Sequence, residues 1–144
     1  MYCDTHAHLD EEQFDAIRDQ VIERALAAGV STIVTVGTTL SSSEASIALA
    51  RQYRCVFAAV GLQPNYTGQA AAGDWDQIVR LAAEPLVAAV GETGLDRYWD
   101  FTPFAVQQDY FDRHLRLAQQ RDLPVIVHVR DCAPETLAML RDAR

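Results

Sequence analysis

Short apolar runs recur along this chain, each followed by a stretch of helical periodicity, and this alternation limits the possible fold more than any other feature. Strand-like runs fall at residues 2–6, 31–37, 55–61, 86–91 and 124–128. The runs VFAAVG, LVAAVG and PVIVHV are apolar without a period of two, which is how strands covered on both faces of a parallel sheet read. Between them, residues 11–28 place Phe14, Ile17, Val21 and Ala25 on one helical face, with Asp10 and Gln13 as a capping pair and Gly29 as the stop. Ser41 with Glu44 opens a helix to Tyr53, and Asp74 with Gln77 precedes one over Ile78–Ala83. Thr102 with Pro103 starts a helix to about Arg121, and a further helix begins near Ala133.

The fold class is therefore α/β. Polar or glycine residues at the C-terminal end of each run suit a TIM-type (βα)8 barrel, whose active sites collect at that end. Eight units usually need roughly 250 residues, so this chain is expected to supply about the first five, as a single domain over residues 1–144 without the C-terminal strands. A doubly wound open sheet fits the length, but no glycine-rich phosphate loop follows the first run.

The composition, 49% hydrophobic and 22% charged, is that of one globular domain with a real core. All 12 basic residues are Arg and the net charge is -8, which argues against a broad basic footprint for duplex nucleic acid. A phosphate substrate met by metal ions and one or two Arg remains compatible. No apolar run reaches the length of a membrane span and the N-terminus lacks a secretory pattern, so the expected location is cytoplasmic, without membrane association. Cys3, Cys55 and Cys132 form neither a disulfide framework nor a CxxC motif and read as inert thiols.

Three strand ends offer metal-ligand chemistry. In Asp4-Thr5-His6-Ala7-His8, side chains two apart on a strand share a face, so His6 and His8 can converge on one ion. Asp4 lies on the same face and could orient an imidazole, or be an ordinary polar residue. Glu92 follows an apolar strand between Gly91 and Gly94, placed for a metal ligand or for a polar turn. His128 follows four apolar residues and reads as a ligand or as a satisfied core histidine. Three strand ends each carrying a ligand type favour a metal site over coincidence.

The blocks Asp4-Thr5-His6-Ala7-His8-Leu9-Asp10, Gly91-Glu92-Thr93-Gly94-Leu95-Asp96 and Leu123–Asp131, in this order and spacing, resemble the TatD family of metal-dependent deoxyribonucleases, an amidohydrolase-like barrel family. The resemblance covers essentially the whole chain. It implies two divalent ions (Mg, Mn or Zn), with His6 and His8 on one, Glu92 bridging, and His128 on the other. Glu92 and Arg130 become the catalytic candidates, with Arg130 as a phosphate clamp; by position alone it could equally form a surface salt bridge. Where the family usually carries Gly-x-His-Pro-His, this chain reads Gly61-Leu62-Gln63-Pro64-Asn65, leaving Gln63 and Asn65 as substrate-binding candidates that cannot act as imidazolium acids. The family's remaining metal histidine and late aspartate belong to strands beyond Arg144.

Tyr66, Trp75, Tyr98, Trp99 and Phe101 cluster in the loops after the third and fourth strands, where rings stack on bases or pack the loop onto the barrel. Packing is the expectation for Trp75, and His114 reads as structural or exposed. Asp96 and Asp131 could hold water or orient ligands, or cap the following turn. The expected activity is two-metal hydrolysis of DNA phosphodiester bonds. The alternatives are a metal hydrolase of another ester or amide, and an inactive fragment or assembly module. No obligate protein partner is evident, although an incomplete barrel would expose surface for self-association.

Overall fold

The computed structural model describes residues 1–143, in which strands and helices alternate. The strands are β1 (Tyr2–Ala7), β2 (Val30–Val36), β3 (Val56–Val60), β4 (Val87–Asp96) and β5 (Val125–Arg130). The helices are α1 (Arg18–Ala27), α2 (Leu40–Gln52), α3 (Asp74–Leu81), α4 (Phe104–Arg121) and α5 (Ala133–Asp142), with short 3-10 turns at Glu12–Phe14 and Thr67–Gln69. Every strand pairs in parallel with the next one in sequence, giving a half-barrel ordered β1-β2-β3-β4-β5. All C-terminal strand ends therefore lie along one rim.

Two apolar layers explain the unbroken apolar runs. On the helix side, Ile33, Val56, Ala58, Val60, Val87 and Val90 pack with Ile22, Ile47, Ile78 and Leu117. On the other side, Val36, Ala59 and Ala89 meet Val34 and Ile126, and the small alanines suit a concave interior. Removing a fully buried side chain such as Ile78 would cost about 2–5 kcal/mol.

Several of the expected helix starts are displaced, two of them by tertiary contacts. The first helical stretch breaks into a 3-10 turn and α1, with Ile17 at the N-cap; Asp10 instead accepts the Ser42 hydroxyl at 2.6 Å. Thr39, rather than Ser41, caps α2 by accepting the Ser42 N–H at 3.1 Å. Gly73 occupies the cap of α3 and Pro103 that of α4. Thr102 instead ties two loops together, its hydroxyl donating to the Asn65 carbonyl and accepting the Gly68 N–H.

The fourth strand runs further than its apolar text, through Gly91-Glu92-Thr93-Gly94-Leu95-Asp96. Two glycines permit this. A Cβ on Gly91 (φ 140°) would lie 2.6 Å from the Ile126 carbonyl oxygen, and one on Gly94 (φ 137°) would collide with that of His128. Close approach of β5 keeps Glu92 and Asp96 in the sheet, with Gly94 in register with His128 and Asp96 with Arg130.

Candidate metal centre

His6 lies near the end of β1, His8 just beyond it, Glu92 within β4 and His128 within β5, and the parallel half-barrel gathers all four at its rim. The Nε2 atoms of His6 and His8 lie 3.5 and 3.7 Å from the same Glu92 Oε2. The His8 Nδ1–H donates to the Val36 carbonyl at 2.9 Å, which fixes the tautomer and leaves Nε2 with a free lone pair. Ligand atoms around a tetrahedral ion with bonds of roughly 2.1 Å sit roughly 3.4 Å apart, so the separations from Glu92 Oε2 match what a divalent ion requires. The three donor atoms lie within 4.8 Å of one another.

The second oxygen of Glu92 serves a different neighbour. Oε1 accepts from His128 Nδ1 at 2.8 Å, and Asp96 Oδ2 accepts from His128 Nε2 at 2.9 Å. The Glu92 hydrogen bond raises the His128 pKa, against burial and with help from Asp96. Burial alone would raise Glu92 and Asp96. For Glu92, the His128 hydrogen bond and the charges of His128, His6 and His8 outweigh it. For Asp96, hydrogen bonds from the Trp99 N–H, Asn65, His128 and the Tyr98 N–H do the same, and both carboxyls sit below their ordinary values.

Asp96 is the hub of this network. Its Oδ1 accepts the N–H groups of Tyr98 (2.9 Å) and Trp99 (3.0 Å), while Oδ2 accepts Asn65 Nδ2 (3.0 Å) in addition to His128. It thus combines both roles expected of it, orienting a histidine and capping the following turn. Asp131 is an exposed turn residue with φ 55°. Asp4 does not reach an imidazole; its Oδ1 accepts the backbone N–H of His6.

Gln63, Asn65 and Arg130 do not touch the His6, His8 and Glu92 cluster. They line an adjoining cavity of about 490 Å³ with Asp96 and His128, so His128 lies on the boundary between the two. Gln63 Oε1 accepts the Asn65 N–H at 2.8 Å. Arg130 forms no ion pair among the described residues; its guanidinium lies 3.8 Å from the Tyr98 ring centroid and 5.7 Å from that of Trp99. Trp75 lies in the first turn of α3 rather than in a loop, and packs edge-on against Tyr110 and His114 of α4. His114 is fully buried, accepting the Leu62 N–H at Nε2 (3.0 Å) and donating from Nδ1 to the Tyr110 carbonyl (2.6 Å). It therefore anchors the loop that carries Gln63 and Asn65. No helix is long and apolar enough to cross a membrane among the described residues.

Known proteins share this sequence pattern and this fold. The model of the family "TatD related DNase" matches residues 3–144. The chain is 36% identical over 142 residues to a metal-dependent hydrolase of Bacillus subtilis, YabD, covering 99% of this chain and 56% of that protein. It is 39% identical over 137 residues to the 3'-5' ssDNA/RNA exonuclease TatD of Citrobacter koseri, covering 95% of this chain and 53% of the relative. The crystal structure of YjjV, a TatD homologue of Escherichia coli K12, superposes with a TM-score of 0.92 at 33% identity over 99% of this chain and 56% of that one. A TatD-family hydrolase of Entamoeba histolytica, 21% identical, shares the fold with a TM-score of 0.90 over 54% of its length. The chain thus spans about half the length of the curated relatives it matches, and its five βα units correspond to a little over half of a TatD (βα)8 barrel. Sequence, fold and strand-end chemistry agree: the chain belongs to the TatD-related DNase family.

Proposed function

We propose that this chain supplies the first metal site, and part of a second, in a hydrolase that cleaves the phosphodiester bonds of DNA. The observation that carries the reading is the convergence of His6 Nε2 and His8 Nε2 on Glu92 Oε2 at the rim of a parallel half-barrel. Two imidazoles and a carboxylate are a donor set for Zn, Mn or another borderline divalent ion, and Glu92 and His128 also admit Mg through the carboxylate. Glu92 turns one oxygen toward His6 and His8 and the other toward His128, which suits a carboxylate shared by two ions. Bound divalent ions supply Lewis-acid charge that activates water and offsets the charge developing on phosphoryl oxygens.

The chain's own residues do the rest. His6, His8 and Glu92 bind, the Val36 carbonyl orients His8, and Asp96 holds His128 beside Glu92. Arg130 stacks its face on Tyr98, which leaves the N–H edge of the guanidinium for phosphate oxygens. This division of labour fits a chain with a net charge of -8, because most of the positive charge is brought by the ions.

The test is a nuclease assay of the complete protein on DNA with Mg or Mn, compared with a His6→Ala, His8→Ala double variant. Loss of cleavage in the variant is expected, and equal activity in both overturns the reading. A second reading, a metal hydrolase of another ester, is favoured by Gln63 and Asn65 standing where imidazoles are usual in the family. Cleavage of a small ester with no cleavage of DNA would select it.

A further inference from the structure

The mouth of the cavity beside the metal centre is unusually aromatic. Tyr98, Trp99 and Phe101 are 54%, 42% and 59% exposed, although rings of this size gain most from burial. They are not loosely held. Asp96, buried at the end of β4, fastens the loop through the N–H groups of Tyr98 and Trp99. Trp99 and Phe101 lie stacked, with ring centroids 5.1 Å apart and planes 9° from parallel, while Tyr98 meets Trp99 edge-on at 4.7 Å. Arg130 covers the Tyr98 ring. Tyr66, 44% exposed, comes from the loop after β3 and lines the same cavity as Trp99, Phe101, Gln63 and Arg130.

Planar rings, an amide and one guanidinium are the recognition set for a nucleobase attached to a phosphate. A base stacks on a ring face whatever its sequence, and Arg meets the phosphate. At about 490 Å³ the cavity falls within the range of small-ligand clefts, about 300–1,000 Å³. It touches the metal centre through His128, so an occupant's phosphate can lie near that centre while its base lies on the rings. Gln63 Oε1 is spent on the Asn65 N–H, and its Nε2 remains as a donor for a base edge.

We propose that Trp99 and Phe101, backed by Tyr98 and Arg130, form a stacking platform for one unpaired nucleobase next to the scissile phosphate. The platform presents a strand end to the metal centre with little base preference, and Asp96 is the positioning residue that links the two. This rests on the phosphodiesterase reading above, and the experiment separates the two.

The complete protein is titrated, in the presence of Mg, with phosphorothioate-linked pentathymidylate, which resists cleavage, and with an abasic strand of the same backbone; cleavage of unmodified pentathymidylate is measured in parallel. Stacking predicts that pentathymidylate quenches Trp fluorescence and binds about 10-fold more tightly than the abasic strand. In a Trp99→Ala, Phe101→Ala double variant the two strands bind alike, and Trp99→Phe restores the preference because a ring is regained. Equal binding of both strands by the unaltered protein, with cleavage retained, overturns the platform and leaves the nuclease reading standing. Failure to bind either strand and to cleave unmodified pentathymidylate overturns the nuclease reading, and the platform falls with it. The comparison of strands on the unaltered protein decides the matter even if the double variant does not fold.

Discussion

His114 and His128 sit on consecutive elements, α4 and β5, yet their surroundings shift their pKa values in opposite directions. His114 is sealed in the outer layer between Trp75 and the loop after β3, and burial lowers its pKa to about 4. One neutral tautomer satisfies both of its hydrogen bonds, donating to the Tyr110 carbonyl and accepting the Leu62 N–H. His128 is as much confined by hydrogen bonds, but both of its partners are carboxylates, which raises its pKa. A backbone donor beside a ring thus makes a structural histidine, and a carboxylate on each side makes one fit for a site. Burial alone does not separate the two roles. The neighbours' chemistry does.

The largest expected difference between them is in stability. His114→Ala leaves a cavity and two orphaned backbone groups, and a loss of about 3–5 kcal/mol is expected from the denaturant midpoint. His128→Ala leaves carboxylates that keep other donors and some solvent, and a loss of about 1–2 kcal/mol is expected. Similar losses in both would show that the contrast in environment carries no energetic weight.

Acid sharpens the comparison next. The folded pKa of His114 lies below its unfolded value of 6.5, so on acidification the unfolded chain takes up a proton that the folded ring refuses. Stability should fall by about 3 kcal/mol between pH 6.5 and 4 and then level off for this group. The lowered carboxyls Glu92 and Asp96 lose their contribution only further down, as pH falls through their depressed values from the ordinary 4.5 and 3.8. His128 has the reverse sign: its contribution is complete below pH 6.5 and is lost as pH rises through its elevated value. Thermal unfolding followed from pH 7 to 4 should therefore show an acid-side slope that disappears in His114→Gln. An unchanged slope would assign it to other groups.

A metal titration probes the other side of the contrast. At about 100-fold excess over its dissociation constant, a divalent ion bound only by the folded chain stabilises by about 2.7 kcal/mol. A rise in Tm with Zn or Mn is expected for the unaltered protein and its disappearance in His6→Ala, His8→Ala. Retention of the rise in the variant would move the ion away from Glu92 Oε2.

How much of this was legible in the sequence depends on whether a feature is local. The five strands follow from apolar runs, and His6, His8, Glu92 and His128 stand in short motifs at strand ends, so fold class and candidate ligands could be read directly. Two of the helix starts could not, because Asp10 and Thr102 spend their side chains on partners far away in sequence, which outcompete local capping. The extension of β4 through GETGLD runs against strand propensity and depends on β5 lying too close for any Cβ at Gly91 or Gly94. The Val36 carbonyl that orients His8 carries no sequence signal, since every residue has one. The Asn65 to Asp96 contact likewise appears only once the loops after β3 and β4 are brought together.

Asp96 offers the smallest and most discriminating test. Asp96→Asn keeps the size of the side chain but removes its charge, so one of the two carboxylates that raise the His128 pKa is lost. The His128 ring pKa, followed by NMR titration, should move down toward its ordinary value while that of His114 stays low, because no part of the His114 environment involves Asp96. Metal affinity or activity is expected to fall by about 10–100-fold, the usual cost of disturbing a group that orients a ligand. A purely structural Asp96 would instead lower stability and leave the His128 titration where it was. That outcome would separate the two histidines by burial after all, and would remove Asp96 as the link between the metal centre and the aromatic loop.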